Sequence, residues 1–275
     1  MYSRVRRPAI LLLTAMVAAT SGVLLSTTAG AVAPSGDSTA DRKNASNVEA
    51  HRFERWATIT RISLGYYYDA GQQNTKLTIT EVKGGLRYAD RRTDVLRQKK
   101  KMPDSCDRKP SKVGLVVVCR VPNDVTAGNP MRVKVFTRLG DDYVDTSALR
   151  AGFKLYGLAD QGNDTYIGGD GNDFINGAPG IDHVRGGAGK DLLRGGENHD
   201  VVWGGAGNDK LSGLDGPDRL YGGSGNDRVG GHEGDDRLYA GPGKDFMLCW
   251  TGFDRVYATR HVDRIMADCE RTFYH

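Results

Sequence analysis

Hydrophobic side chains recur every nine positions from residue 159 to residue 266. Tyr166, Ile175, Val184, Leu193, Val202, Leu211, Leu220, Val229, Leu238, Met247, Val256 and Ile265 hold the eighth place of twelve consecutive nonapeptides in one unbroken frame. Mostly polar seventh and ninth positions flank them, which is the alternation of a strand buried on one face. A three-residue strand buries little alone. Stacked coils bury more, because each adds one apolar side chain to a continuous inner row. The first six positions of each nonapeptide must then reverse the chain.

Upstream, the alternation has no fixed period. Residues 57–64 (ATITRISL), 76–82 (KLTITEV) and 131–136 (MRVKVF) alternate apolar with polar, and 113–121 is a nearly continuous β-branched run. Clusters of Gly, Asn, Asp and Pro separate them, so residues 52–158 read as a small β domain. Tyr66-Tyr67-Tyr68 reads as a strand with mixed core and surface faces. The Lys/Arg-rich stretch 97–112, with Pro103 and Pro110, reads as an exposed loop. The expected class is therefore all-β, a stack of short-strand coils preceded by a small β domain, with residues 267–275 as a C-terminal cap or tail.

Chemistry enters with the turn half of the repeat. The sixth position is Asp in all twelve: Asp164, Asp173, Asp182, Asp191, Asp200, Asp209, Asp218, Asp227, Asp236, Asp245, Asp254 and Asp263. The fourth is Gly in ten, the exceptions being Asn198 and His261. Glycine at the first, second and fourth places permits a tight reversal. Equivalent turns on neighbouring strands recur at ~4.8 Å, and carboxylates that close must be neutralised or protonated. A hard divalent cation does this. Calcium takes about 6–8 oxygens in flexible geometry, whereas magnesium demands a near-octahedral shell. No His or Cys recurs in the period, which argues against zinc or iron.

The pattern GGxGxDxUx resembles the hemolysin-type, or RTX, calcium-binding repeat of secreted bacterial proteins. The resemblance covers residues 159–266. It implies that two successive repeats form one coil of a parallel β-roll, and that each calcium ion lies between turns two repeats apart. Turn carbonyls and the sixth-position Asp would hold it. One edge would carry Asp164, Asp182, Asp200, Asp218, Asp236 and Asp254. The other would carry Asp173, Asp191, Asp209, Asp227, Asp245 and Asp263, with Gly168, Gly186, Gly189, Gly204, Gly207, Gly222, Gly225 and Gly243 in its turns. The first edge departs from the glycine pattern at Ala178, Asn198, Leu214 and His232, so the Asp173–Asp227 edge is expected to bind calcium more tightly. The last two repeats lose the glycine pair, and Trp250, Phe253 and a Cys249–Cys269 bond would suit an end cap. Residues 139–144 (LGDDYV) look like a degenerate repeat out of frame.

Charge divides with the chain. Residues 34–158 carry 23 Lys and Arg against 14 Asp and Glu, while residues 159–275 carry 12 against 20. The acidic half is assigned to cations. The basic half and the stripe Lys210, Arg219, Arg228 and Arg237 read as solvated surface and charge balance. His183, His199, His232 and His261 occupy different repeat positions and make no shared site. At the N-terminus, Arg4, Arg6 and Arg7 precede an apolar run from Ala9 to Leu25. Two A-x-A options follow, Ala29-Gly30-Ala31 and Ala31-Val32-Ala33. Residues 1–31 are expected to be a signal peptide and 32–51 a linker, leaving a secreted mature chain with no membrane span. Four cysteines in an exported chain suggest two disulfides. Three pairings are possible, and Cys106–Cys119 with Cys249–Cys269 is the one that leaves the two halves untied.

There is no H-E-x-x-H and no G-x-S-x-G. The expectation is a non-enzymatic calcium-binding protein with a structural or surface-interaction role. Its candidate macromolecular partner is cell-wall or extracellular polysaccharide rather than nucleic acid. The alternative is a secreted enzyme acting on an extracellular polymer, with the roll as its stabilising module.

Overall fold

The computed structural model describes residues 50–53, 57–62, 65–70, 74–91, 104–111, 114–260 and 262–274. Residues 1–31, read as a signal peptide, and nearly all of the stretch read as linker lie outside these residues, as does His261. No helix occurs among the described residues, so none there is long and apolar enough to cross a membrane.

The strands, in chain order, begin with β1 (Ala50–Phe53), β2 (Ala57–Ile62), β3 (Gly65–Ala70), β4 (Lys76–Val82), β5 (Gly85–Asp90), β6 (Cys106–Arg108) and β7 (Leu115–Arg120). There follow β8 (Met131–Phe136), β9 (Tyr143–Asp145), β10 (Phe153–Leu158), β11 (Thr165–Ile167), β12 (Phe174–Pro179), β13 (His183–Ala188), β14 (Leu192–Glu197) and β15 (Val201–Ala206). The chain closes with β16 (Lys210–Asp215), β17 (Arg219–Ser224), β18 (Arg228–Glu233), β19 (Arg237–Tyr239), β20 (Phe246–Thr251), β21 (Arg255–Ala258), β22 (Arg264–Ile265) and β23 (Arg271–Tyr274). β1 starts at Ala50, two residues inside the stretch read as linker.

These strands form two sheets that run the length of the molecule. The first is ordered β1-β2-β3-β8-β10-β12-β14-β16-β18-β20-β22, and the second β23-β21-β19-β17-β15-β13-β11-β9-β4-β5-β7-β6. From β11 to β22 each nonapeptide supplies one strand, and successive strands alternate between the sheets. Pairing within a sheet is parallel at a shift of 18 residues, as in Leu193↔Leu211 and Val202↔Leu220. The chain therefore coils as a parallel β-roll. Most strands are six residues long rather than three, because the ladder continues through the first three positions of the next repeat. Only the fourth to sixth positions turn, and those turns stack too, with Gly207 N–H donating to Ser224 O at 2.7 Å.

The parallel ladder starts before residue 159. β8 pairs with β10 and β9 with β11, both at a shift of 22 residues. β3 and β4 form a still earlier coil, shifted by 67 from β8 and β9. The chain between β4 and β8 departs into the antiparallel strands β5, β7 and β6 at the end of the second sheet. β2 and β1 do the same for the first. The N-terminal region thus extends both sheets of the roll, and one buried cluster runs from Ala57 to Ala258.

The contents of that cluster change along its length. At the N-terminal end Tyr66, Tyr68, Tyr88, Ile59, Leu77, Ile79 and Leu86 are fully buried, while Tyr67 faces outward, as its strand pattern predicts. The Cys106–Cys119 disulfide ties β6 to β7. In the roll, each repeat gives one apolar side chain at the eighth position. Tyr166 is the largest of these, and its ring fills the space where a Cβ on Gly157 would stand. Cys249–Cys269 closes the far end. Trp250 covers Gly230 and stacks on His232 at 3.9 Å, but Phe253 is 78% exposed and takes no part in a cap.

Candidate metal centre

The turns at each edge of the roll stack one over another, and the sixth-position Asp links each to the turn one coil before. Asp182 Oδ1 accepts the backbone N–H of Asp164 at 2.7 Å, Asp200 that of Asp182 at 2.8 Å, and Asp218 that of Asp200 at 2.7 Å. Asp236 and Asp254 continue this row. On the other edge Asp191, Asp209, Asp227, Asp245 and Asp263 accept in the same way. Each carboxylate therefore fixes its neighbour's backbone with one oxygen.

The second oxygen has no such use. Oδ2 of Asp164, Asp182, Asp191, Asp200, Asp209, Asp218, Asp227, Asp236, Asp245 and Asp254 is buried without a hydrogen-bond partner. Repeated orphaned acceptors of this kind are rare in stable folds and call for an ion. The surroundings fit one. A Cβ on first-position Gly204 would stand 2.6 Å from Asp209 Oδ2 and would also meet the Gly222 carbonyl oxygen of the next coil. Gly222 repeats this with Asp227 and Ala240, and Gly186 with Asp191 and Gly204. On the opposite edge Gly177 and Gly213 make the same cradle with Asp182 and Asp218. Carboxylate and carbonyl oxygens face one another across the gap that these glycines leave open. An all-oxygen set with charge from Asp suits calcium.

Burial pushes these carboxyl groups up. Asp164, Asp191 and Asp200 rise to about 8. Asp182, Asp218 and Asp236 rise to about 7, and Asp227, Asp245 and Asp254 to about 6. Desolvation is the main cause in each. For Asp191 and Asp200, repulsion from the carboxylates one coil away adds to it, while the backbone N–H each accepts pulls the other way. Without a cation, a neutral-pH roll must either hold protons at these sites or bear unpaired charge.

The row ends differ. Asp173 accepts Leu155 N–H at 2.8 Å and Gly169 N–H at 3.0 Å, so both of its oxygens are used. Asp263, half-buried, accepts Asp245 N–H at 3.0 Å and Thr259 N–H at 2.7 Å. At the end of the Asp254 row, Glu270 Oε2 takes the Asp254 N–H at 2.9 Å. The edges also differ in backbone. On the Asp191 edge the second-position glycines Gly187, Gly205 and Gly223 have φ of 101–112°. On the other edge Ala178, Leu214, His232 and Trp250 take φ of 69–81°, the left-handed region a side chain tolerates at modest cost. The non-glycine residues of that edge are thus accommodated, and the carboxylate geometry is the same on both edges. The turn glycines Gly189, Gly207, Gly225 and Gly243 instead lie directly against the carbonyl of the preceding turn.

Asp142 was not among the residues singled out by periodicity. Its carboxylate is buried, its Oδ2 has no partner, and its N–H donates to Asp164 Oδ1 at 2.7 Å. It heads the Asp164 row, 22 residues before Asp164 instead of 18. The out-of-frame stretch 139–144 was its only signal. Thr137 stands five residues before Asp142, as the cradle glycine does before its Asp in the repeats, and its hydroxyl lies 2.8 Å from that of Tyr166. Among the described residues, the one cluster of three His, Cys, Asp or Glu ligand atoms is Cys249, Asp268 and Cys269, whose sulfurs are joined in the disulfide.

Residues 158–180, 176–211 and 212–247 match the family model described as RTX calcium-binding nonapeptide repeat (4 copies). No curated protein and no solved structure is significantly similar to the chain.

Proposed function

With an RTX-type β-roll repeat protein as premise, its repeats binding multiple calcium ions, we propose that the chain is a secreted, non-catalytic protein ordered by calcium outside the cell, where its roll presents a surface to other molecules. The observation that carries this reading is the double row of buried Asp Oδ2 atoms with no protein partner. A chain rich in turn glycine and acidic charge has little drive to collapse while those charges are unpaired. Ion binding is then folding free energy, as in other metal-organised domains. A low-calcium interior would keep the roll open for export. The two disulfides suit an oxidising exterior.

The test is a calcium titration of the protein lacking residues 1–31, followed by calorimetry for stoichiometry and circular dichroism for structure. Chelated protein is expected to lose most of its β signal and to regain it as several ions bind per chain. An unchanged spectrum in chelator sinks the reading. A screen for hydrolase and lyase activity on extracellular polymers tests the non-catalytic part, and turnover by the purified protein would overturn it.

A further inference from the structure

The outward positions of the second sheet form two rows along the roll. The ninth positions give Trp203, Tyr221, Tyr239 and Tyr257, with Phe273 of β23 in register with Tyr257. Their rings stack face to face at 5.6, 4.5, 4.6 and 5.0 Å, within 14° of parallel. The seventh positions give Arg219, Arg237 and Arg255, with Arg271 paired beside Arg255. No Asp or Glu occupies an outward position of this sheet from Thr165 to Phe273. The acidic charge of this half sits in the turns and, as Glu197, Asp215 and Glu233, at strand ends of the first sheet.

Cations lie over rings on both sheets, and on the second Arg185 sits over Trp203 at 4.6 Å. On the first sheet Arg194 lies over Phe174, and Arg228 and Arg264 both lie over Phe246. On the second sheet Arg219, Arg237, Arg255 and Arg271 have neither a ring beneath them nor a carboxylate within ion-pair distance among the described residues. Three of them line a groove across successive coils, together with the turn-tip residues Pro217 and Phe253. The carboxylates reaching that groove are Asp200, Asp218 and Asp236 of the metal row, and Asp235, which accepts Phe253 N–H at 2.9 Å.

We propose that this face docks a linear acidic polysaccharide laid along the roll axis. The inference deepens the surface role proposed above and rests on it. Guanidinium forks repeating once per coil match carboxylate or sulfate groups repeating along a polymer. Beside them on the same face run the rings of Tyr221, Tyr239 and Tyr257, whose hydroxyls suit a hydroxyl-rich chain. Single-stranded nucleic acid fits poorly, because base stacking needs open ring faces and these faces are already covered by one another.

The test is calorimetric binding of a hyaluronan decasaccharide in millimolar calcium, with cellohexaose and oligothymidylate as comparisons and circular dichroism on each sample. The wild type is expected to bind hyaluronan and neither comparison. The triple variant Arg219→Gln, Arg237→Gln, Arg255→Gln should weaken binding about tenfold or more, the scale of losing several charge-assisted contacts. The triple variant Lys210→Gln, Arg228→Gln, Arg264→Gln removes equal charge from the opposite sheet and should leave affinity within about twofold. Replacing Tyr221, Tyr239 and Tyr257 by Phe keeps the ring stack and should weaken binding by a smaller factor. A calcium-folded wild type that ignores hyaluronan, that binds oligothymidylate as well, or that self-associates through this face overturns the inference while leaving calcium-driven folding intact. Equal losses from the two arginine-containing triples also overturn it. Failure of calcium to order the roll overturns both readings.

Discussion

At one end of this molecule the two sheets close over tyrosine rings, and along the rest they close over single aliphatic side chains edged by carboxylates. The N-terminal strands bury Tyr66, Tyr68 and Tyr88 with Ile59, Leu77, Ile79 and Leu86, and a disulfide joins β6 to β7. Even the buried acid there is satisfied, since Asp90 accepts Tyr68 O–H at 2.8 Å and Lys76 N–H at 3.3 Å. The roll buries about one large apolar group per nine residues and, beside it, a carboxylate with one oxygen unpaired. The same sheets therefore run from a region held by apolar burial into one whose charge must be matched from outside. Continuity of hydrogen bonding does not make the two equally stable.

The largest effect that can break this comparison is chelation. Hydrogen exchange in EDTA should show residues 159–266 losing protection while β3, β5 and β7 keep theirs; loss of both together would make the sheets one cooperative unit. Next, Cys106→Ser with Cys119→Ser should cost the N-terminal region about 3 kcal/mol and leave calcium stoichiometry unchanged. A denaturant series in saturating calcium measures the first and a titration the second. Within the roll, Asp209→Ala leaves Asp191 N–H without its acceptor at 2.9 Å and should cost about 2 kcal/mol. That loss should grow with calcium concentration, since the variant also lacks a ligand; a calcium-independent loss would reduce the carboxylate to a backbone brace.

Proton concentration sharpens the same contrast. Burial lifts the roll carboxyls to about 6–8, above their unfolded values. A metal-free roll is then favoured below pH ~4, where both states are protonated. It loses stability as pH rises towards 8, because the unfolded chain ionises first. In chelator, lowering pH from 8 to 4 should restore β signal. In calcium, the same change should weaken ion affinity, because protons compete for the oxygens. The smallest expected effect separates the edges: Asp191→Ala should reduce calcium affinity more than Asp200→Ala. Matching losses would mean that the left-handed Ala178, Leu214 and His232 turns serve as well as glycine.

How much of this was legible in the sequence follows from what repeats. The nine-residue frame announced the strands, the inner apolar row and the paired Asp edges, because every coil meets the same constraints. Strands β2, β4 and β8 also showed by alternation. The parallel coils before residue 159 did not, because shifts of 22 and 67 residues hide a structural repeat from a sequence period. Asp142 was missed for that reason. The turn tips were misjudged in another way: Phe253 looked like a cap residue by its apolar character, yet its fifth-position place points it outward. The stacked row keeps an 18-residue spacing from Trp203 to Tyr257, and its last member, Phe273, comes from a strand outside the repeat frame.

β22 is two residues long, and it is the last strand of the first sheet. A parallel solenoid leaves each sheet with an open rung at its end, and such rungs invite a second molecule to add on and start a fibril. A rung offering only Arg264 and Ile265 gives an incoming strand almost no purchase, and its arginine adds repulsion between like ends. Such a short rung would hinder end-to-end addition on the first sheet.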